Sequence, residues 1–206
     1  MAITYPITLP LGEVAREVRF GSRSHVGLTS SPFTGEQQVF AHAGALWQLE
    51  IELKPMRRAE AEAWIAALVS LNGREGTFLF GDPVNTSPRG VGTGTPLVNG
   101  ASQTGRTLVT DGWTVSQTGI LKTGDWFQLG SGSTTRLHKV MADSNSDGSG
   151  NATLEIWPRL RESPADDAAI VVTNPVGQWR LAENLFDWSI GMARFYGLHL
   201  SAVEAL

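Results

Sequence analysis

Apolar and polar residues alternate one by one along much of this chain, and the alternation marks out its strands. In "QQVFAHAGALWQLEIEL" (Gln37 to Leu53) the second half places Trp47, Leu49, Ile51 and Leu53 on one face and Gln48, Glu50 and Glu52 on the other. A period of two with one apolar face is the pattern of a half-buried strand. The break at His42-Ala43-Gly44 divides the stretch into the two arms of a predicted hairpin. The C-terminal "NLFDWSIGMARFYGLHL" keeps the same period, with Phe186, Trp188, Ile190, Met192, Tyr196, Leu198 and Leu200 on one face and Arg194 the exception. That predicts one long strand, or two strands broken near Gly191.

The period changes to a helical one in "PMRRAEAEAWIAALVSLNG", where Ala61, Trp64, Ile65, Leu68 and Leu71 recur every three or four residues. A helix over about 56–72 is predicted, stopped by Asn72-Gly73. Pro55, Glu60 and Glu62 suit its first turn, whereas Arg57 and Arg58 sit against the positive end of the dipole, as a contact surface or as a solvated helix end. "GTFLFGDP" (Gly76 to Pro83) then reads as a short buried strand closed by a turn.

From Val84 to about Arg106 the composition turns to Gly, Ser, Thr, Asn and Pro, as in a domain boundary or long loop. Its glycine series Gly90, Gly92, Gly94 lacks the Lys-Ser/Thr and the following helix of a phosphate-binding loop. Between about Thr107 and Thr173 come "TLVT", "WTVS", "DWFQLG", "TRLHKVM", "ATLEIWP" and "AAIVVT", short strands at the spacing of a small barrel or sandwich. The C-terminal strand needs a partner sheet, which the N-terminal region supplies. The predicted fold class is therefore mainly β: a β-sandwich with one packed α-helix, built from residues 1–86 and 176–206, plus an inserted small β-barrel or sandwich at 87–175.

"DSNSDGSGN" (Asp143 to Asn151) is the clearest candidate for chemistry. Asp143, Asn145, Asp147 and Asn151, with Gly148, match loop positions 1, 3, 5, 9 and 6 of an EF-hand. Position 12, however, is Leu154 in place of a bidentate glutamate, and the flanks are strand-like. The competing expectation is a Ser/Gly/Asp/Asn loop between two strands of a hairpin. His25, His42, His138 and His199 are scattered and show no metal-ligand spacing. "GSRSH" (Gly21 to His25) lacks the strand-turn-helix frame of a nucleophilic serine. Asp125, Glu162, Asp166 and Asp167 sit in turns, where a glycosidase pair and solvated loop charge look alike. Trp113, Trp126 and Trp157 are candidates for stacking on sugar rings, weighed against core packing.

Composition narrows the partners. A net charge of -4 supplies no bulk attraction to nucleic acid or anionic membrane. The absence of cysteine among the 206 residues removes disulfides, thiolate nucleophiles and Cys-ligated zinc. "MAITYPITLPLGEVAREVRF" shows no basic region followed by an apolar core, and no apolar run approaches the ~20 residues of a membrane span. Neither export by such a signal nor membrane insertion is expected, and no cofactor is predicted. An open sheet assembled from both chain ends also exposes strand edges, which proteins either blunt or use for assembly.

The run from Ser31 to Pro83, "SPFTGEQQVFAHAGALWQLEIELKPMRRAEAEAWIAALVSLNGREGTFLFGDP", resembles the N-terminal part of distal tail proteins, a class of minor tail protein of long-tailed, non-contractile bacteriophages. The features that carry the likeness are "SPFTG", a hairpin with a tryptophan, the "PM" turn, the helix, and the closing "GTFLFGDP". "GDWFQLG" and "RLHKVMADSNSDGSGNATLEIWPRLR" are similar to the inserted β-domain of such proteins. The resemblance implies a non-enzymatic virion protein, assembled in the host bacterial cytoplasm. It implies a homo-hexameric ring joining the tail tube protein to the tip or baseplate (hub) proteins, with DNA passing through the lumen without specific binding. Some members of the family carry sugar-binding modules, so a host glycan is a further partner expectation. The rival expectations are a carbohydrate-binding β-module, or another minor tail protein contacting host glycans.

Overall fold

The computed structural model describes residues 3–10 and 15–206. Met1, Ala2 and residues 11–14, part of the N-terminal stretch read for a leader, lie outside the described residues. The chain is mainly β, with 44% of residues in strands and 8% helical. Its elements are β1 (Ile7–Thr8), β2 (Ala15–Arg23), β3 (Val26–Ser30), β4 (Gln37–Ala41), β5 (Leu46–Leu53), α1 (Arg58–Ser70), β6 (Phe78–Phe80), β7 (Gly94–Val98), β8 (Gly105–Trp113), β9 (Trp126–Leu129), β10 (Arg136–Val140), β11 (Ala152–Leu160), β12 (Ile170–Val171), β13 (Gly177–Leu181), β14 (Trp188–Ile190) and β15 (Tyr196–Glu204).

The first sheet runs β1-β6-β13-β15-β5-β2, with β14 added beside the start of β15. Only β1 and β6 run parallel within it. Its strands come from the two ends of the chain, before Gly81 and after Val176. The alternation on β5 has the predicted consequence: Trp47, Leu49, Ile51 and Leu53 are buried. The opposite face bears Glu17, Arg19, Glu50, Glu52 and His199 and is bare except for surface ion pairs such as Arg16–Glu52 at 2.8 Å.

The helix α1 begins without a side-chain cap at Arg57 and buries Ala61, Trp64, Ile65 and Leu68 against the sheet. It ends where Asn72 and Gly73 turn left-handed, with φ of 51° and 66°. A Cβ at Gly73 would also crowd Asn184, so glycine meets both requirements of this stop.

The second sheet runs β12-β9-β10-β11-β8-β7, with all neighbours antiparallel. An antiparallel bridge between Leu97 and Ala169, with Val98 N–H donating to the Ala168 carbonyl at 2.9 Å, brings β7 to β12 and nearly closes the sheet into a barrel. Its interior has its own core, including Leu108, Phe127, Val140, Leu154 and Ile156. The chain enters and leaves this unit side by side. Asn174 N–H donates to the Thr86 carbonyl at 2.6 Å, and the backbone at Gly81 lies so close to the Pro175 carbonyl that a Cβ could not fit.

The outer wall of the barrel packs on the first sheet. Trp126, Leu137 and Trp157 join the first core, where the Trp47 ring lies 4.8 Å from that of Trp126 and 4.1 Å, edge-on, from that of Trp157. The buried face of the first sheet is thus covered jointly by α1 and by the barrel.

Three local expectations are corrected. Gln37–Leu53 is not a hairpin: β4 pairs with β3, while β5 pairs with β2 and β15. Residues 37–41 have no buried face, so nothing in their own pattern fixed a partner. The Gly-rich boundary contains β7, which shares the barrel's edge with a proline, Pro96. The C-terminal alternation takes the second of its two expected forms, two strands turned at Gly191, but its apolar face is core only in the second half: Leu198 and Leu200 are buried, whereas Trp188, Ile190 and Met192 are exposed.

Candidate functional site

The side-chain oxygens of the Asp143–Asn151 loop accept hydrogen bonds from the chain itself. Asp143 accepts from the backbone N–H and the hydroxyl of Thr123, at 2.8 and 2.9 Å. Asn145 accepts from Gly119 N–H at 2.7 Å. Asp147 accepts from Ser149 and Asn151 N–H, both at 2.8 Å, and from the Asn151 amide at 3.1 Å. These hydrogen bonds hold both aspartates below the usual carboxylate range. The loop joins β10 to β11 and folds across the end of the barrel, where Ser144 bridges to Leu121. Its acidic residues therefore fix turns, as expected of a loop that joins two antiparallel strands.

The three tryptophans proposed for sugar stacking are likewise placed otherwise. Trp113 is buried in the barrel core and donates its indole N–H to Thr110 Oγ1 at 2.8 Å. Trp126 is buried between Trp47 and Phe20, donates to Asp82 at 3.2 Å, and has the Lys139 ammonium 4.2 Å from its ring centre. Trp157 is half-buried against Trp47. Packing at the junction of barrel and sheet takes the ring surfaces that a sugar would need.

Among the turn carboxylates, Asp125 is buried and accepts from the N–H groups of Arg89, Gly90 and Lys122 at 3.0, 3.0 and 2.8 Å. Burial alone would raise its pKa, but these donors and the Arg89 guanidinium bring it below the ordinary value. A carboxylate thus occupies the donors of the glycine-rich loop that superficially suggested phosphate binding. Asp166 accepts from Gly100 N–H at 2.6 Å. Among the described residues, no three His, Cys, Asp or Glu side chains converge on a point that could hold a metal.

What the molecule does present is bare apolar surface on two hairpins. β3 and β4 leave the first sheet and pair only with each other, in the register Leu28↔Val39 and Gly27↔Phe40. Val26, Leu28, Val39 and Phe40 are exposed, and Phe33 at the tip is 94% exposed. An isolated two-stranded hairpin is at best marginally stable in water. The second hairpin, β14 and the start of β15, bares Leu185, Trp188, Ile190, Met192 and Phe195. The sequence supplied the apolar residues of both hairpins, but its period suggested burial within the chain.

No protein-family model matches the sequence, and no curated protein is similar to it. Among the described residues, no helix is long and apolar enough to cross a membrane.

Proposed function

We propose that this chain is a structural protein of a bacteriophage tail tip, one subunit of a hexameric ring between the tail tube and the distal tip proteins. The observation that carries the proposal is the pair of hairpins whose apolar side chains the described residues leave exposed. Contiguous bare apolar surface of this kind marks protein–protein contact, and a heterologous contact repeated around a closed rotation generates a ring. The resemblance of the Ser31–Pro83 segment to distal tail proteins supplies the identity of the ring, and the mainly β fold with one packed helix agrees with it. In this reading the chain catalyses nothing. Its work is mechanical: the hairpins bury their apolar faces on neighbours and the subunits enclose a lumen for DNA. The rival reading, a carbohydrate-binding module, is weakened by the burial of Trp113 and Trp126.

Native mass spectrometry over a concentration series, with negative-stain images of the same sample, tests the proposal. A hexamer with a central hole is expected, and Leu28→Asp with Val39→Asp should shift it toward monomer while preserving the β circular-dichroism spectrum. A wild-type chain that stays monomeric at every concentration, both alone and with purified tail tubes, would overturn the proposal.

A further inference from the structure

A cavity of about 330 Å³ opens between the ends of β9, β10 and β11 and the 161–168 segment. One wall is apolar, formed by Leu129, Leu160, Pro164 and Ala168, and the other carries Arg136, His138 and Arg159. The volume is at the lower end of the range for small-ligand sites, and an apolar lining with a few convergent polar groups is their usual chemistry.

The polar wall is incompletely satisfied. Of the buried side-chain nitrogens and oxygens among the described residues, two lack a hydrogen-bond partner, Arg159 Nε and Thr135 Oγ1, and both belong to this corner of the barrel. Such atoms are rare in folded proteins, and an absent ligand is one physical reason for them. Arg161, by contrast, uses all three of its nitrogens within the chain. Its guanidinium forms a two-point pair with Glu204 at 3.0 and 2.5 Å and donates Nε–H to the Ala45 carbonyl at 3.1 Å. Arg136 donates to the Thr135 carbonyl at 3.0 Å and lies 3.5 Å from Gln178 Oε1, which leaves most of its fork available. His138 is buried and donates Nδ1–H to the Pro158 carbonyl at 2.9 Å, so its Nε2 is an acceptor. Burial, followed by Arg161 and Arg136, keeps the ring neutral, with its pKa lowered to about 4.

We propose that this cavity binds a small monocarboxylate, its carboxylate held by Arg159 and Arg136 and its body laid against the apolar wall. A guanidinium fork matches a carboxylate in two-point geometry. The charge count selects a monoanion: three arginines against Glu204 and the cavity's own Glu162 leave a single positive charge. The body is either a hydroxylated ring, which His138 Nε2 would receive as an acceptor, or an aliphatic chain. This inference does not depend on ring assembly.

Titration of the 15N-labelled protein with sodium glucuronate, sodium pentanoate, glucose and inorganic phosphate, followed by heteronuclear NMR including the arginine Nε–H region, tests the site. Saturable shifts at residues of the cavity with at least one of the two carboxylates and not with glucose are expected, and the better carboxylate identifies the body. Arg159→Gln should weaken binding at least tenfold. Arg136→Gln, which keeps the Arg159 side chain, serves as the second variant and should weaken it several-fold. Phosphate binding as tightly as either carboxylate, absence of shifts from both carboxylates at 20 mM or so, or unchanged affinity in a folded Arg159→Gln protein would each overturn the proposal.

Discussion

Glu204 is the residue through which the two sheets are most directly coupled. It lies at the end of β15 with its side chain 2% exposed, and it accepts both terminal nitrogens of Arg161, which follows β11 of the barrel. It also accepts the backbone N–H of Trp47, at the start of β5, at 3.0 Å. Glu204→Ala leaves a guanidinium that is only 15% exposed without its counter-charge, and removes the acceptor of a buried backbone N–H. Breaking one side of a buried pair costs about 3–5 kcal/mol. Against a total stability of roughly 5–15 kcal/mol this is a large fraction. With a urea slope of about 2–3 kcal/mol per molar, the unfolding midpoint should fall by roughly 1–2 M. Tryptophan fluorescence reads the transition, because Trp47, Trp126 and Trp157 meet at this junction. The double variant Glu204→Leu with Arg161→Met should recover much of the loss, since apolar replacement of a whole buried pair is often close to neutral. The exposed Arg58–Glu62 pair is the control, and Glu62→Ala there should cost no more than about 0.5 kcal/mol. A Glu204→Ala cost as small as that control, or a double variant as unstable as the two single losses added, would refute the reasoning.

His138 gives a pH prediction with a defined sign. Its folded pKa of about 4 lies below the unfolded 6.5, so the unfolded chain takes the proton first on acidification, and stability should fall by about 3 kcal/mol as pH drops from 6.5 to 4. Asp82 and Asp125, lowered from 3.8, lose their contribution only at more acidic pH, so His138→Phe should flatten the upper window of a urea titration and leave the lower one. Trp126→Ala should cost about 3–5 kcal/mol in the same assay by opening a cavity between Trp47 and Phe20. Neutral oligosaccharides should leave wild-type tryptophan emission unchanged. Asp147→Ala should lower the melting temperature slightly through loss of its turn hydrogen bonds, equally with calcium and with chelator, as read by differential scanning calorimetry.

The strands with one buried face were legible because burial writes itself into a period of two, as on β5, or into a short closed apolar run, as on β6. The helix was legible for the matching reason, with Ala61, Trp64, Ile65 and Leu68 forming one stripe. Pairing was less so. β4 precedes β5 in the chain, yet the mate of β5 is β2, and local alternation carries no information about which of several strands completes a ladder. Trp126 and Trp157 show the same limit in another form. They alternate outward from the barrel, as surface residues would, and become buried only because a second sheet arrives on that wall.

The candidate residues are those where local and long-range signals conflict. Asp143, Asn145, Asp147 and Asn151 have a metal loop's spacing, but the donors that saturate them include Thr123 and Gly119, some twenty residues earlier. A carboxylate can organise either a cation or a set of backbone N–H groups, and the choice depends on which arrives. The same logic runs in reverse at Arg159. It stands in β11 two residues after Trp157, looks like an ordinary exposed strand residue in the sequence, and is left by the fold with a buried donor and no acceptor. Neither position could be assigned from neighbours in the chain, because the loop's partners come from distant segments and the burial of Arg159 Nε is set by the tertiary fold. Assembly obeys the same rule on a larger scale. β3 and β4 carry exposed apolar side chains and, among the described residues, pair only with each other, and the proposed ring would place their partner on a neighbouring subunit.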